Sequence, residues 1–253
     1  MIKRYTPKDF KKMITSGQLA SDLLDYIGTL VRPGISTEEI DRLAHKFTLN
    51  HGAKSAPLNY KGFPKSICTS INDVICHGIP STKDILKDGD VVNIDVTVIL
   101  KGYYADSSRM FKVGTVSKES SQLIEVCHNA MMSSINHLEP GMPISIVGKI
   151  IETIVKPYGY AIVEDFCGHG IGTTFHEDPQ VVHYYDKAYD NIILEPGMIF
   201  TIEPMLNAGK IKHIFEDDGW TVRTADGKLS VQWEHTIGIT EEGTVIFTEN
   251  HNT

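Results

Sequence analysis

Cysteine is scarce and scattered in this chain: four in 253 residues, at Cys68, Cys76, Cys127 and Cys167, with no CxxC spacing. A disulfide scaffold or a thiolate zinc site needs denser or paired cysteines, so these are expected as reduced thiols in the core or in a pocket. Long apolar runs are missing as well. No stretch approaches the roughly 20 residues that cross a bilayer, and the opening MIKRYTPKDFKKM leads into no apolar secretory segment. There is no basic excess either: the net charge of -8 argues against a broad nucleic-acid or anionic-membrane surface. These absences leave a cytoplasmic chain with no DNA or membrane partner and a small or neutral substrate.

What is present is ordinary globular material, 41% hydrophobic and 22% charged, in a length that can bury a large core. The most informative stretch is Asp90 to Met110, DVVNIDVTVILKGYYADSSRM. Val91 to Leu100 is β-branched and apolar, Lys101-Gly102 is a turn signal, and an extended pattern resumes at Tyr103, which predicts a hairpin. With Lys101 and Gly102 as the loop, Asp95 pairs with Ser108 and Asp106 with Thr97. Both carboxylates then lie on one face as diagonal neighbours. Two buried acids that close repel unless one is protonated or a cation lies between them, and a metal ion is the economical explanation.

The flanks predict helices that cover a sheet, an α+β arrangement. Thr6-Pro7-Lys8-Asp9 offers a cap, a first-turn proline and an acid, followed by an apolar stripe from Phe10 to Leu30 that Arg32-Pro33-Gly34 stops. Ser36-Thr37-Glu38-Glu39 reads as a capping box for a second helix reaching Asn50. Short pieces rich in Gly, Pro and Asn follow as far as Pro80, and Tyr60, Phe63, Ile67 and Cys68 in them suit a pocket wall. Helices are expected over about Lys118 to Leu138 and from Ser145 to Lys156, then a strand over Gly159 to Val163. Residues 192 to 206 read as one apolar strand interrupted by Glu203, and Ser230 to Thr240 as a closing strand carrying Glu234. His45, His51, His128 and His137 are read as surface or capping residues.

GHGIG at 168–172 is no phosphate loop, because it lacks the lysine and the βαβ surroundings. Its glycines instead let backbone approach closely while presenting His169, and His176 returns from the same loop. A duplication is also visible. Leu86 to Asp95, LKDGDVVNID, aligns without a gap to Leu194 to Glu203, LEPGMIFTIE, and a His-Gly-Ile precedes each, at His77 and His169. Two similar halves with a site at their shared axis would converge the acids and histidines that look out of place. Asp95, Asp106, His169, Glu203 and Glu234 form a carboxylate and imidazole set without thiolate, suited to Mn, Fe(II), Co or Zn, and four acids can bridge two dications. Such a pair lowers the pKa of a shared water and turns it on a carbonyl, which predicts amide hydrolysis. His77 and His176 remain to stabilise the oxyanion or to move protons.

The ordered motifs CHGIP, DVVNIDV, GYYADSSRMF, CGHGIGTTFHE, PGMIFTIEPM and QWEHTI closely resemble those of the bacterial type I methionine aminopeptidase family, along nearly the whole chain. The resemblance implies the pita-bread fold, an antiparallel core flanked by helices. It implies a single catalytic domain over 1–253 whose two pseudo-symmetric halves meet near residue 140. It implies that Asp95 and Asp106 hold one divalent ion and His169 and Glu203 a second, with Asp106 and Glu234 bridging. His77 and His176 would contact substrate, and Glu203 would help shuttle the proton. Tyr60, Phe63, Cys68, Phe175 and Trp220 would build the methionine pocket, where a thioether meets polarizable apolar walls. Asn72, Val74 and Ser230 match a monovalent-cation site of some relatives. Pro57 and Phe63 depart from the Cys and Tyr of well-known bacterial members. The implied substrates are nascent polypeptide N-termini with a small second residue, met by a monomer of minimal, bacterial-like form. Lys8, Lys11, Lys12, Lys61 and Lys65 are too few to mark an RNA face, so any ribosome contact is expected to be transient.

Two other readings stay open at this point. A prolyl aminopeptidase or dipeptidase shares the scaffold but usually carries a large extra N-terminal domain, which the roughly 50 residues before Ala53 are too short to form. A silent peptide-binding module should have lost ligands, and none is missing.

Overall fold

The computed structural model describes residues 2–249, so residue 1 and residues 250–253 of the expected domain lie outside the described residues. Thr6 caps α1 (Pro7–Gly28) by accepting from the Asp9 amide while the Asp9 side chain reaches back to the Thr6 amide, a complete capping box. Ser36 caps α2 (Thr37–Asn50) in one direction only, because Glu39 turns away to pair with Arg42. The strands that follow are β1 (Lys54–Ser55), β2 (Cys68–Ile71), β3 (Val74–Cys76), β4 (Val91–Leu100) and β5 (Tyr103–Lys112). Two helices come next, α3 (Lys118–Asn136) and α4 (Ile146–Val155). The second half then breaks into short strands: β6 (Ala161–Ile162), β7 (Gly168–Gly170), β8 (Glu177–Val181), β9 (Ile199–Ile202), β10 (Met205–Asn207), β11 (His213–Phe215), β12 (Val222–Thr224), β13 (Ser230–Gln232), β14 (His235–Thr240) and β15 (Gly243–Ile246).

The β4–β5 hairpin has the register expected of a two-residue loop, Asp95 opposite Ser108 and Thr97 opposite Asp106. Lys101 at φ 51° and Gly102 at φ 84° supply the two left-handed residues that such a turn needs. β4 is buried on both faces. Val92, Ile94, Val96 and Val98 pack on Leu23, Leu24 and Ile27 of α1 and Ile40 of α2. The alternate residues Asn93, Asp95 and Thr97 face the other way, toward the second half, where Asn93 donates to the Gln232 carbonyl.

A second core gathers Leu123, Cys127 and Met131 of α3, Val147 and Ile151 of α4, Phe200 and Ile202 of β9, and Ile237 of β14. The two parts interlock where Ser108 bridges Glu234, Thr236 Oγ1 donates to the Asp106 carbonyl at 2.7 Å, and Asn93 donates to the Gln232 carbonyl at 2.8 Å. At Gly17 α1 lies so close to the Phe247 carbonyl that a side chain there would overlap it, and Phe10 meets the Phe247 ring edge-on at 5.2 Å.

The aligned ten-residue segments share backbone geometry. Gly89 and Gly197 occupy the same position at φ 93° and 95°, and Ile85 and Ile193 make matching bridges to Ser36 and Pro143, each just before a helix. Leu86 and Leu194 likewise accept, at 2.8 Å each, from Gly34 and Gly141.

Some boundaries differ from expectation. The strand expected over 192–206 is two, β9 and β10, because Glu203-Pro204 leaves the ladder between them. The strand expected over Ser230–Thr240 divides at Trp233-Glu234, and β15 pairs beyond it. His128 is half-buried against Trp233 at 4.6 Å between ring centroids, not on the surface, because α3 turns that face toward the second core. His45 is tied to the Ser66 hydroxyl at 2.8 Å.

Candidate active site

Between the two cores lies a cavity of about 870 Å³. Asp95 on β4 and Asp106 on β5 enter it from the hairpin, His169 from β7, Glu203 from the break after β9 and Glu234 from the break before β14. The two strand breaks thus sit at the two acids of the second half. Asp106, His169 and Glu234 offer ligand atoms within 4.8 Å of one another, a spacing suited to a cation. His169 Nε2 lies 3.6 Å from Asp106 Oδ2 and 3.8 Å from Glu203 Oε1. His77, Tyr60, Phe63, Cys68, Phe175, His176 and Trp220 line the same cavity.

Local sequence explains these placements. Gly168 runs against the Thr201 carbonyl and Gly170 against the Asp178 carbonyl, both closer than any Cβ would allow. The backbone of His169 is thereby held between β8 and β9. Thr201 Oγ1 donates to Glu203 Oε1 at 2.7 Å, Gln232 Nε2 to Glu203 Oε2 at 3.3 Å, and the Glu203 amide donates to His183 Nε2 at 3.0 Å. On the hairpin side Thr97 Oγ1 donates to Asp106 Oδ1 at 2.7 Å. Thr97, Thr201, Gln232 and His183 were not singled out from sequence. The first three sit two residues from an acid along extended backbone, a spacing that alternation could have flagged, whereas His183 carries no such signal.

The electrostatics are those of acids crowded out of water. Burial first, then the charges of Asp106 and Glu203, push Asp95 well above the usual carboxylate range. Burial and the neighbouring acids do the same to Glu234. Glu203 is pushed up by burial to about 7, although His169 and Thr201 pull it back. Burial alone would lower His169, but its contact with Asp106 and the Glu203 charge raise it. His176 falls to about 4 and His183 to about 3, mainly through burial, and burial lowers His77 as well.

The apolar wall is aromatic. Tyr60 meets Phe175 at 4.8 Å, Phe63 meets Trp220 edge-on at 5.2 Å, and His77 stands perpendicular to Trp220 at 6.0 Å. Cys68, Cys76, Cys127 and Cys167 are all free thiols, and burial raises Cys68 well above the usual thiol range.

Asn72, Val74 and Ser230 are not in the cavity lining. They meet at the β2–β3 turn, where Asn72, at φ 53°, accepts from the Ser230 amide at 2.8 Å through its carbonyl. The Ser230 hydroxyl is buried without a hydrogen-bond partner among the described residues.

Residues 11–241 match the model of metallopeptidase family M24. The chain is 49% identical over 247 residues to the methionine aminopeptidase of Buchnera aphidicola subsp. Schizaphis graminum, covering 98% of this chain and 94% of that one. The crystal structure of methionine aminopeptidase from Rickettsia prowazekii superposes with a TM-score of 0.96 at 49% identity, over 98% of this chain and all of that one. An Xaa-Pro dipeptidase from Bacillus anthracis shares the fold at a TM-score of 0.78, but at 23% identity and over only 63% of its own length. The pita-bread scaffold is therefore common to both groups, while near-complete coverage at half identity separates them: this chain belongs to metallopeptidase family M24, among its methionine aminopeptidases.

Proposed function

We propose that this cavity removes the N-terminal methionine from polypeptides whose second residue is small and uncharged, by attack of water on the first peptide bond. One observation carries the reading: five ligand-type side chains share a cavity with a wall of Tyr60, Phe63, Cys68, Phe175 and Trp220. The donors fit divalent cations. Asp95, Glu203 and Glu234 resist ionisation because of burial and one another's charge, a cost that bound dications would relieve.

In this reading Asp95, Asp106, His169, Glu203 and Glu234 would together hold two divalent ions, Asp106 and Glu234 serving both. When bound, such ions polarise the scissile carbonyl and lower the pKa of a shared water. Cobalt, manganese, iron(II) and zinc all suit the donor set. The methionine side chain enters the aromatic wall, where the Cys68 thiol and the rings present a polarizable surface to the thioether. His77 and His176 are neutral at pH 7, so each can donate one N–H to the developing oxyanion. Glu203, beside the reacting water in this reading, would help to pass its proton to the leaving amine.

The unpartnered Ser230 hydroxyl, with the carbonyls of Asn72 and Val74, fits a monovalent cation that would brace the β2–β3 turn. We read the chain as one catalytic domain of two related halves meeting near residue 140, acting as a monomer in the cytoplasm. Its partners are nascent polypeptide N-termini, and any ribosome contact is transient.

The test is direct. Protein loaded with Mn or Co should release methionine from Met-Ala or Met-Gly peptides and leave Xaa-Pro peptides intact. No release from the metal-loaded protein, or preferential cleavage of Xaa-Pro, would overturn the proposal.

A further inference from the structure

The segment preceding α1 is fastened across the second half. The Tyr5 amide donates to the Gly197 carbonyl at 2.7 Å, Arg4 pairs with Glu195, and the Lys3 ammonium reaches the Thr173 hydroxyl. The Tyr5 ring is buried, at 6% exposure, against Gly172, where any side chain would strike it. Its hydroxyl does two things at once. It donates to Glu177 Oε1 at 2.6 Å and accepts from the Thr173 amide at 2.9 Å.

Thr173 and Glu177 are the two ends of the loop that carries Phe175 and His176. One phenol oxygen therefore closes that loop like a clasp. The His176 ring itself stacks on Tyr60 at 5.2 Å and sits 4.2 Å from the His169 ring, contacts that have little directional stiffness. The backbone beneath it must supply the precision, and small displacements at a reacting centre are expensive.

We infer that Tyr5 is a positioning residue for His176: its hydroxyl, bonded to both ends of the 173–177 loop, holds that imidazole at the angle the reaction uses. The inference rests on the reading of His176 as a group that contacts the substrate. It also brings a residue outside all the sequence motifs into the reaction.

The experiment is a double-mutant comparison on the full chain loaded with Mn(II), using a Met-Ala-Ser peptide. Tyr5→Phe keeps the ring and removes the clasp. It should lower kcat roughly five- to thirtyfold with little change in KM, as expected for losing hydrogen bonds of which one is to a carboxylate. In a His176→Ala background the same substitution should cost less than twofold. Glu177→Ala, which releases the loop from its other end, should follow the same pattern if Tyr5→Phe folds poorly, and Glu177→Gln, which keeps an acceptor, should restore the rate. A Tyr5→Phe rate within twofold of the unmodified protein, or an equal loss in both backgrounds, would overturn the inference alone. A His176→Ala variant at full rate would overturn the role of His176 and the inference with it.

Discussion

The two halves deliver their acids to the cavity by different means. Asp95 and Asp106 ride on a regular ladder in which β4 and β5 pair residue for residue over ten positions, so register alone places them. Glu203 sits in the interruption between β9 and β10 and Glu234 in that between β13 and β14, where its one backbone pairing is an isolated bridge to Ser108. What the ladder does for the first pair, side chains do for Glu203: Thr201, Gln232 and His183 fix its carboxylate and amide from three directions. A carboxylate can thus be held by backbone periodicity or by a dedicated hydrogen-bond cage, and the second kind is more exposed to single substitutions.

That contrast can be broken most severely at Asp106, which meets both halves. Asp106→Asn should reduce methionine release by roughly a thousandfold or more and lower the bound metal measured by elemental analysis, because the shared ligand loses its charge. Next in size, Thr201→Val should cut kcat/KM roughly tenfold or more, the scale of one hydrogen bond to a charged group. Thr97→Val, its counterpart on the hairpin, should cost only about threefold, since strand pairing still places Asp106. Equal losses at the two threonines would erase the distinction drawn above.

A smaller effect concerns pH. Glu203 titrates near 7 without metal, so below that pH an incoming ion must displace a proton there. Mn(II) affinity, followed by calorimetry, should therefore rise with pH through about 7. An affinity independent of pH between about 5.5 and 7.5 would contradict the position assigned to that carboxyl. The smallest change is expected at the turn: Gly102→Ala forces a side chain onto a backbone at φ 84° and should cost about 1 kcal/mol in thermal unfolding while leaving kcat/KM unchanged.

The same division governed what could be read before any coordinates. The hairpin was legible down to its pairing, because a β-branched run, a Lys-Gly turn and period-two alternation all specify one register. Both early helices were legible from their caps. The strand breaks at Glu203-Pro204 and Trp233-Glu234 were not, because an apolar run looks continuous whether or not its backbone stays in a ladder. The five ligand-type residues were legible as an out-of-place chemical set, while Phe175 and Trp220 of the aromatic wall came only through the family resemblance, and the supports of the acids were not legible at all. Thr201 and Gln232 carry only the weak signal of standing two residues from an acid in a strand, and His183 carries none, since its partner Glu203 lies twenty residues away. Tyr5 lies further still from any pattern, since its value comes from a loop that reaches it only in the folded molecule.

The close approach of α1 to Phe247 carries a consequence for how such a molecule comes into being. Gly17 and Phe247 stand some 230 positions apart in sequence, so the seat of α1 against that carbonyl forms only when distant parts of the chain have met, whereas its packing on β4 needs nothing beyond the first half.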